Sequence, residues 1–123
     1  MTAADPTVAG HDPTAWHPRP TLAGTDYTAP SVWDEERERI WFGGWICIGR
    51  SEEIPEAGSY VVRDVVGESV FVARNRSGGL HAFYNVCAHR GTRLLDEAPE
   101  CGLLGKAIKC PYHAWSYDLD GRL

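Results

Sequence analysis

Lysine is almost missing from this chain. Lys106 and Lys109 stand alone beside ten arginines and 17 acidic residues, and the net charge is −5 over 123 residues. No basic run or basic–aromatic stripe occurs, which argues against nucleic acid as a partner. Long apolar runs are missing too. The most hydrophobic stretch, IWFGGWICIG at 40–49, is too short to cross a bilayer and reads as buried core, so no membrane role is expected. The amino terminus, MTAADPTVAGHDPTAWHPRP, has neither the basic start nor the apolar centre of a secretion signal. That points to a reducing, cytoplasmic setting. Cysteine is sparse, with four in all, and in such a compartment a cysteine is read as a metal ligand or an inert thiol before a disulfide. The length suits one domain, and no internal repeat is visible.

What is present is concentrated. Of the nine cysteines and histidines, four fall in two brief segments, CAHRG at 87–91 and CPYH at 110–113. Residues 1–30 hold five of the eight prolines and little periodicity, so they read as an extended, poorly ordered arm, with Trp16 and Tyr27 as possible anchors. Ser31 and Asp34 look like a capping start, and VWDEERERIWF puts Trp33, Ile40 and Trp41 on one face, predicting a helix at about 32–42 that Gly43-Gly44 ends. The period then shifts to two. Strands are expected at 45–49, 60–65, 69–74, 80–86, 105–109 and 114–119, with turns at 66–68 and 75–79. Strands at this spacing predict a mainly β fold, a small antiparallel barrel or sandwich with two metal-binding loops, preceded by the arm and one short helix.

Each of the two segments follows a strand and carries one cysteine and one histidine. Cys87 and His89, with Cys110 and His113, supply two thiolates and two imidazoles. A structural zinc takes such a set tetrahedrally. A Rieske-type [2Fe–2S] centre takes both cysteines on one iron and both histidines on the other. Zinc fingers group like ligands within each half, whereas each half here is mixed, and the spacing favours the two-iron centre. Gly91 and Pro111 allow backbone N–H groups to turn toward the sulfurs.

CAHRG and CPYHAWSYDLDGRL resemble the Rieske signature of ring-hydroxylating oxygenase α subunits, and ERIWFGGWICIGR and AFYNVCAHRGTRL resemble the front of the same family. The resemblance runs from about Tyr27 to Leu123. It implies Cys87 and Cys110 on one iron, His89 and His113 on the other, and Arg90, Gly91, Tyr112 and Trp115 around them. Rieske proteins of respiratory complexes add a disulfide between the loops; Thr92 and Tyr112 occupy the matching positions here. The hydroxyl-bearing loops of those proteins are also replaced, by Ala114-Trp115. Fewer hydrogen bonds to sulfur imply a potential toward the low end of the Rieske range of about −150 to +300 mV.

The resemblance implies an electron relay. A reductase or ferredoxin would supply electrons, and a mononuclear Fe(II), held by two histidines and a carboxylate in a following catalytic domain, would activate O₂ within a homotrimer. No residues here show the spacing of that iron site, and the strands expected after DLDGRL are absent. The chain is therefore expected to be a Rieske domain over 31–123, incomplete at its carboxyl end and not catalytic by itself. A stand-alone Rieske ferredoxin and a zinc-binding interaction module are the alternatives. The resemblance leaves the substrate open between aromatic acids and quaternary ammonium compounds. Cys47 is expected in the core, Cys101 as a solvent-side thiol, and His11, His17 and His81 outside the ligand set. Trp33, Trp41 and Trp45 are expected to pack the helix onto the barrel.

Overall fold

A computed structural model describes residues 20–95 and 99–123. His11, Trp16 and His17, with most of the segment expected to be an arm, lie outside the described residues. The chain divides into two units, Met1–Asp34 and Glu35–Leu123. Among the described residues of the first, a 3₁₀ turn, Gly24–Tyr27, interrupts the segment expected to be extended, and Tyr27 is exposed.

Helix α1 runs Pro30–Glu36 and continues as one π turn, Arg37–Trp41. It begins at Pro30, where the missing proline N–H would have had no partner anyway. Ser31 thus lies inside the first turn rather than ahead of it. Gly43 and Gly44 end the helical run as expected. A Cβ at either would stand 2.8 Å from a carbonyl oxygen of the preceding turn, Arg39 or Ile40. The three tryptophans do not form the expected packing face: Trp33 and Trp41 are exposed, and Trp45 is fully so.

The rest is antiparallel β structure. Strands β1 (Ser59–Val65), β2 (Glu68–Arg74), β3 (Leu80–Tyr84) and β4 (Cys101–Leu103) form one sheet in the order β3-β2-β1-β4. Strands β5 (Ile108–Lys109) and β6 (Ser116–Tyr117) form a second. The mainly β, antiparallel reading with one short helix is correct, but the strands expected at 105–109 and 114–119 shrink to Ile108–Lys109 and Ser116–Tyr117, and two further elements differ. Residues 45–49 join no ladder; Ile46, Cys47 and Ile48 instead line an apolar groove with Ile54, Val61 and Val72. Cys47 is consequently exposed, not in the core. Strand β4 was not foreseen. It is three residues long with glycine at its centre, and it pairs with β1 through Tyr60↔Gly102.

Alternation along β2 sends Phe71 and Ala73 inward, where they meet Tyr60, Leu94, Ile108 and Leu119. Cys87 and Cys110 belong to this same buried cluster, so the two cysteines are anchored by the core of the sheet. Val65 pairs with Glu68, leaving Val66-Gly67 as a two-residue turn with φ of 55° and 87°. Both residues take the left-handed conformation of a type I′ turn, which a β-branched side chain resists. Val66→Asn is expected to stabilise the chain by about 1 kcal/mol in chemical denaturation; a loss of stability would contradict this reading of the turn.

Candidate metal centre

The two loops are built alike. In the first, Gly91 N–H donates to the Cys87 carbonyl (2.9 Å) and Cys87 N–H donates to the Thr92 carbonyl (2.8 Å). In the second, Ala114 N–H donates to the Cys110 carbonyl (3.1 Å) and Cys110 N–H to the Trp115 carbonyl (2.8 Å). Each loop is a five-residue turn closed across its cysteine. Each also ends in a left-handed residue, Gly91 at φ 70° and Ala114 at φ 58°. Glycine takes that conformation freely, whereas alanine is held there by the closure.

This construction brings the four candidate ligands together. Cys87 and Cys110 are 2% and 3% exposed and share one buried cluster. His89 and His113 are exposed, with their Nδ1 atoms facing at 3.2 Å. The thiols thus lie inside and the imidazoles at the surface. Among the described residues, no three His, Cys, Asp or Glu side chains gather as ligands of one ion would. The set sorts instead into a thiol pair and an imidazole pair. A Cys₂His₂ zinc needs all four ligands around one centre, whereas a two-iron centre needs them in pairs. The donor set and its arrangement therefore fit a Rieske-type cluster.

Tyr117 is a contributor that the sequence did not reveal. Its hydroxyl oxygen accepts from Ala88 N–H (3.1 Å) and lies 3.2 Å from Cys87 Sγ. With the oxygen accepting, its O–H is available to donate to the sulfur. The Tyr117 hydroxyl holds the Cys87 thiol below its ordinary pKa, helped by the His89 N–H, the Cys110 side chain and the Arg90 N–H, and opposed by burial. The same contact raises the pKa of Tyr117, with desolvation adding to it. Ala114-Trp115 offers no hydroxyl within the second loop, and one hydroxyl reaches the sulfur from elsewhere. The donor comes from β6, seven positions after Cys110, outside both loops.

Trp115 lies against His89, with ring centroids 4.7 Å apart, and Tyr112 against His113 at 3.8 Å. Arg90 is exposed on the first loop. Cys101 sits exposed on β4, and Cys47 is on the groove; neither joins the four. His81 is engaged elsewhere, with Asn75 (3.1 Å) and Asp120 (3.4 Å).

A second missed residue, Asn85, fastens the first loop. Its Oδ1 accepts from Leu94 N–H (3.1 Å) and Leu95 N–H (3.0 Å), and its Nδ2 donates to Ser69 Oγ (3.1 Å). The end of β3 is thereby tied to the far side of the loop.

Comparison with known proteins points the same way. The family model of the Rieske [2Fe-2S] domain matches residues 44–123, and the chain belongs to that family. It is a Rieske domain of the kind carried by oxygenase α subunits. The carnitine monooxygenase oxygenase subunit of Escherichia coli (strain K12) is 42% identical over 103 residues, which are 84% of this chain and 27% of that protein. A solved quaternary ammonium Rieske monooxygenase, described with carnitine oxidation by gut microbiota and inter-subunit electron transfer, matches with a TM-score of 0.72 at 40% identity, over 78% of this chain and 26% of that one. Naphthalene 1,2-dioxygenase from Rhodococcus sp. matches with a TM-score of 0.69 at 36% identity, over 76% and 21%. This chain therefore spans about a quarter of the length of the relatives it matches. Among the described residues, no helix is long and apolar enough to cross a membrane.

Proposed function

We propose that this chain is the electron-relay domain of an oxygenase α subunit, with Cys87 and Cys110 holding one iron of a [2Fe–2S] cluster and His89 and His113 the other. The observation that carries the reading is the division of the four side chains into a buried thiol pair and an exposed imidazole pair. When bound, the cluster supplies one-electron storage. The residues of the chain do the rest. Burial among Phe71, Leu94, Ile108 and Leu119 keeps water from the thiolates. The Tyr117 hydroxyl and the loop N–H groups offset the negative charge on sulfur. His89 and His113, at the surface, are the shortest path to an electron donor or acceptor.

The domain with this role is taken to be 31–123, and 1–30 to be an arm. A reductase or ferredoxin is the proposed donor, acting in a cytoplasm that keeps both thiols reduced. The proposed acceptor is a mononuclear Fe(II) in an oxygenase catalytic domain, reached across a subunit boundary in a homotrimer. Inter-subunit electron transfer in the quaternary ammonium monooxygenase supports that route. The carnitine and quaternary ammonium relatives favour a quaternary ammonium substrate for the whole oxygenase over an aromatic one.

The test is anaerobic loading with iron and sulfide, then reduction. Visible absorption and a reduced-state EPR signal of low average g are expected, with reoxidation by the iron-loaded catalytic domain of a carnitine-type oxygenase. A colourless, EPR-silent zinc form would support the interaction-module reading instead. Reduction without reoxidation by that domain would favour a free-standing carrier. Tyr117→Phe is expected to lower the midpoint potential, because the hydroxyl bond favours the more negative, reduced sulfur; voltammetry showing an unchanged or higher potential would contradict this.

A further inference from the structure

The two loops share a backbone but not their side chains. His89 is the third residue of its loop, counting from the cysteine, and His113 is the fourth. Two rings leaving equivalent turns at different positions have no symmetry to bring them to one point. Their convergence at 3.2 Å needs something else.

Trp115 supplies it. Its indole lies face to face with the His89 imidazole, with centroids 4.7 Å apart and planes 9° apart. His113 meets the same imidazole edge-on, at 65°. The aromatic neighbour of His113 is Tyr112, adjacent in sequence, whereas Trp115 reaches His89 from the opposite loop. Trp115 is half-buried and packs against the core, and its carbonyl accepts the Cys110 N–H. One residue therefore closes the second loop with its backbone and holds a ring of the first with its side chain. An exposed imidazole has a broad χ2 preference and would otherwise turn freely. Stacking on an anchored indole restricts it.

We infer that Trp115 is a positioning residue that locks the two loops together and sets the plane of His89, so that both Nδ1 atoms face one iron. This rests on the two-iron reading of the site. It predicts that the flat face matters more than bulk alone.

The test compares the full chain with Trp115→Phe and Trp115→Leu. In the metal-free chain, ring-current shifts should move the His89 ring protons upfield in NMR spectra. That shift should largely survive in Trp115→Phe and disappear in Trp115→Leu. In chains loaded with iron and sulfide, Trp115→Leu should change the reduced-state g values and release iron to a ferrous chelator about ten-fold faster. Trp115→Phe should stay close to wild type. An unshifted His89 in wild type, or a Leu variant with wild-type g values and release rate, overturns the inference. So does a Phe variant as defective as Leu. Should wild type take up no two-iron centre, the two-iron reading fails by itself, and the metal-free NMR comparison still decides whether Trp115 holds His89.

Discussion

Cys110→Ser is expected to remove the visible absorption and the EPR signal entirely, while Cys47→Ser and Cys101→Ser leave both unchanged. The contrast follows from position as well as chemistry. Cys110 is 3% exposed, begins the second loop and shares the buried cluster with Cys87. Cys47 and Cys101 are exposed and away from the four-residue set. A hydroxyl is a harder, far less acidic ligand than a thiol and does not replace it toward a soft iron–sulfur centre. Serine at this buried position also brings a polar group that costs about 1–3 kcal/mol if it finds no partner. Cys110→Ala separates the two effects: it should lose the cluster but keep the metal-free fold, as read by circular dichroism. Unchanged iron content in Cys110→Ser would remove Cys110 from the ligand set.

Asn85→Ala is expected to destabilise the metal-free chain by about 3 kcal/mol, because it orphans two backbone N–H groups at about 1–3 kcal/mol each. Those groups belong to Leu94 and Leu95, and Leu94 is in the core. Asn85 is itself buried, so water cannot readily take over its role. Asn85→Asp is the informative partner. A carboxylate still accepts both N–H groups, and Ser69 can reverse its bond and donate. Asp should therefore recover part of the loss. Chemical denaturation placing Asn85→Ala within 0.5 kcal/mol of wild type would show that Asn85 does not fasten the loop.

The candidate site was legible where chemistry is carried by residue type. Cys87, His89, Cys110 and His113 stood out because soft ligands are few in this chain and fall in two clusters. The central strands were legible because β1 and β2 are long, rich in valine and joined by a glycine turn. Other features depend on contacts between distant positions. Tyr117 reaches Cys87 across 30 residues, and Asn85 closes a loop around Leu94; neither has a local pattern that marks it. Strand β4 exists because β1 offers it a partner, not because CGL favours a strand. The segment at 45–49 fails in the opposite sense. Its alternation is strand-like, but it finds no ladder partner among the described residues, and Trp45 remains exposed. The apolar stretch at 40–49 reads as buried core, yet Ile40, Trp41, Phe42 and Trp45 are exposed, because hydrophobicity does not say which surface, if any, a side chain meets.

The most direct measurement is Mössbauer spectroscopy of the chain loaded anaerobically with ⁵⁷Fe and sulfide, combined with iron and acid-labile sulfide analysis. The account predicts two irons and two sulfides per chain, with two distinct ferric sites in the oxidised state, one in a sulfur environment and one in a mixed nitrogen–sulfur environment. One tightly held zinc without labile sulfide, or two indistinguishable irons, would contradict it.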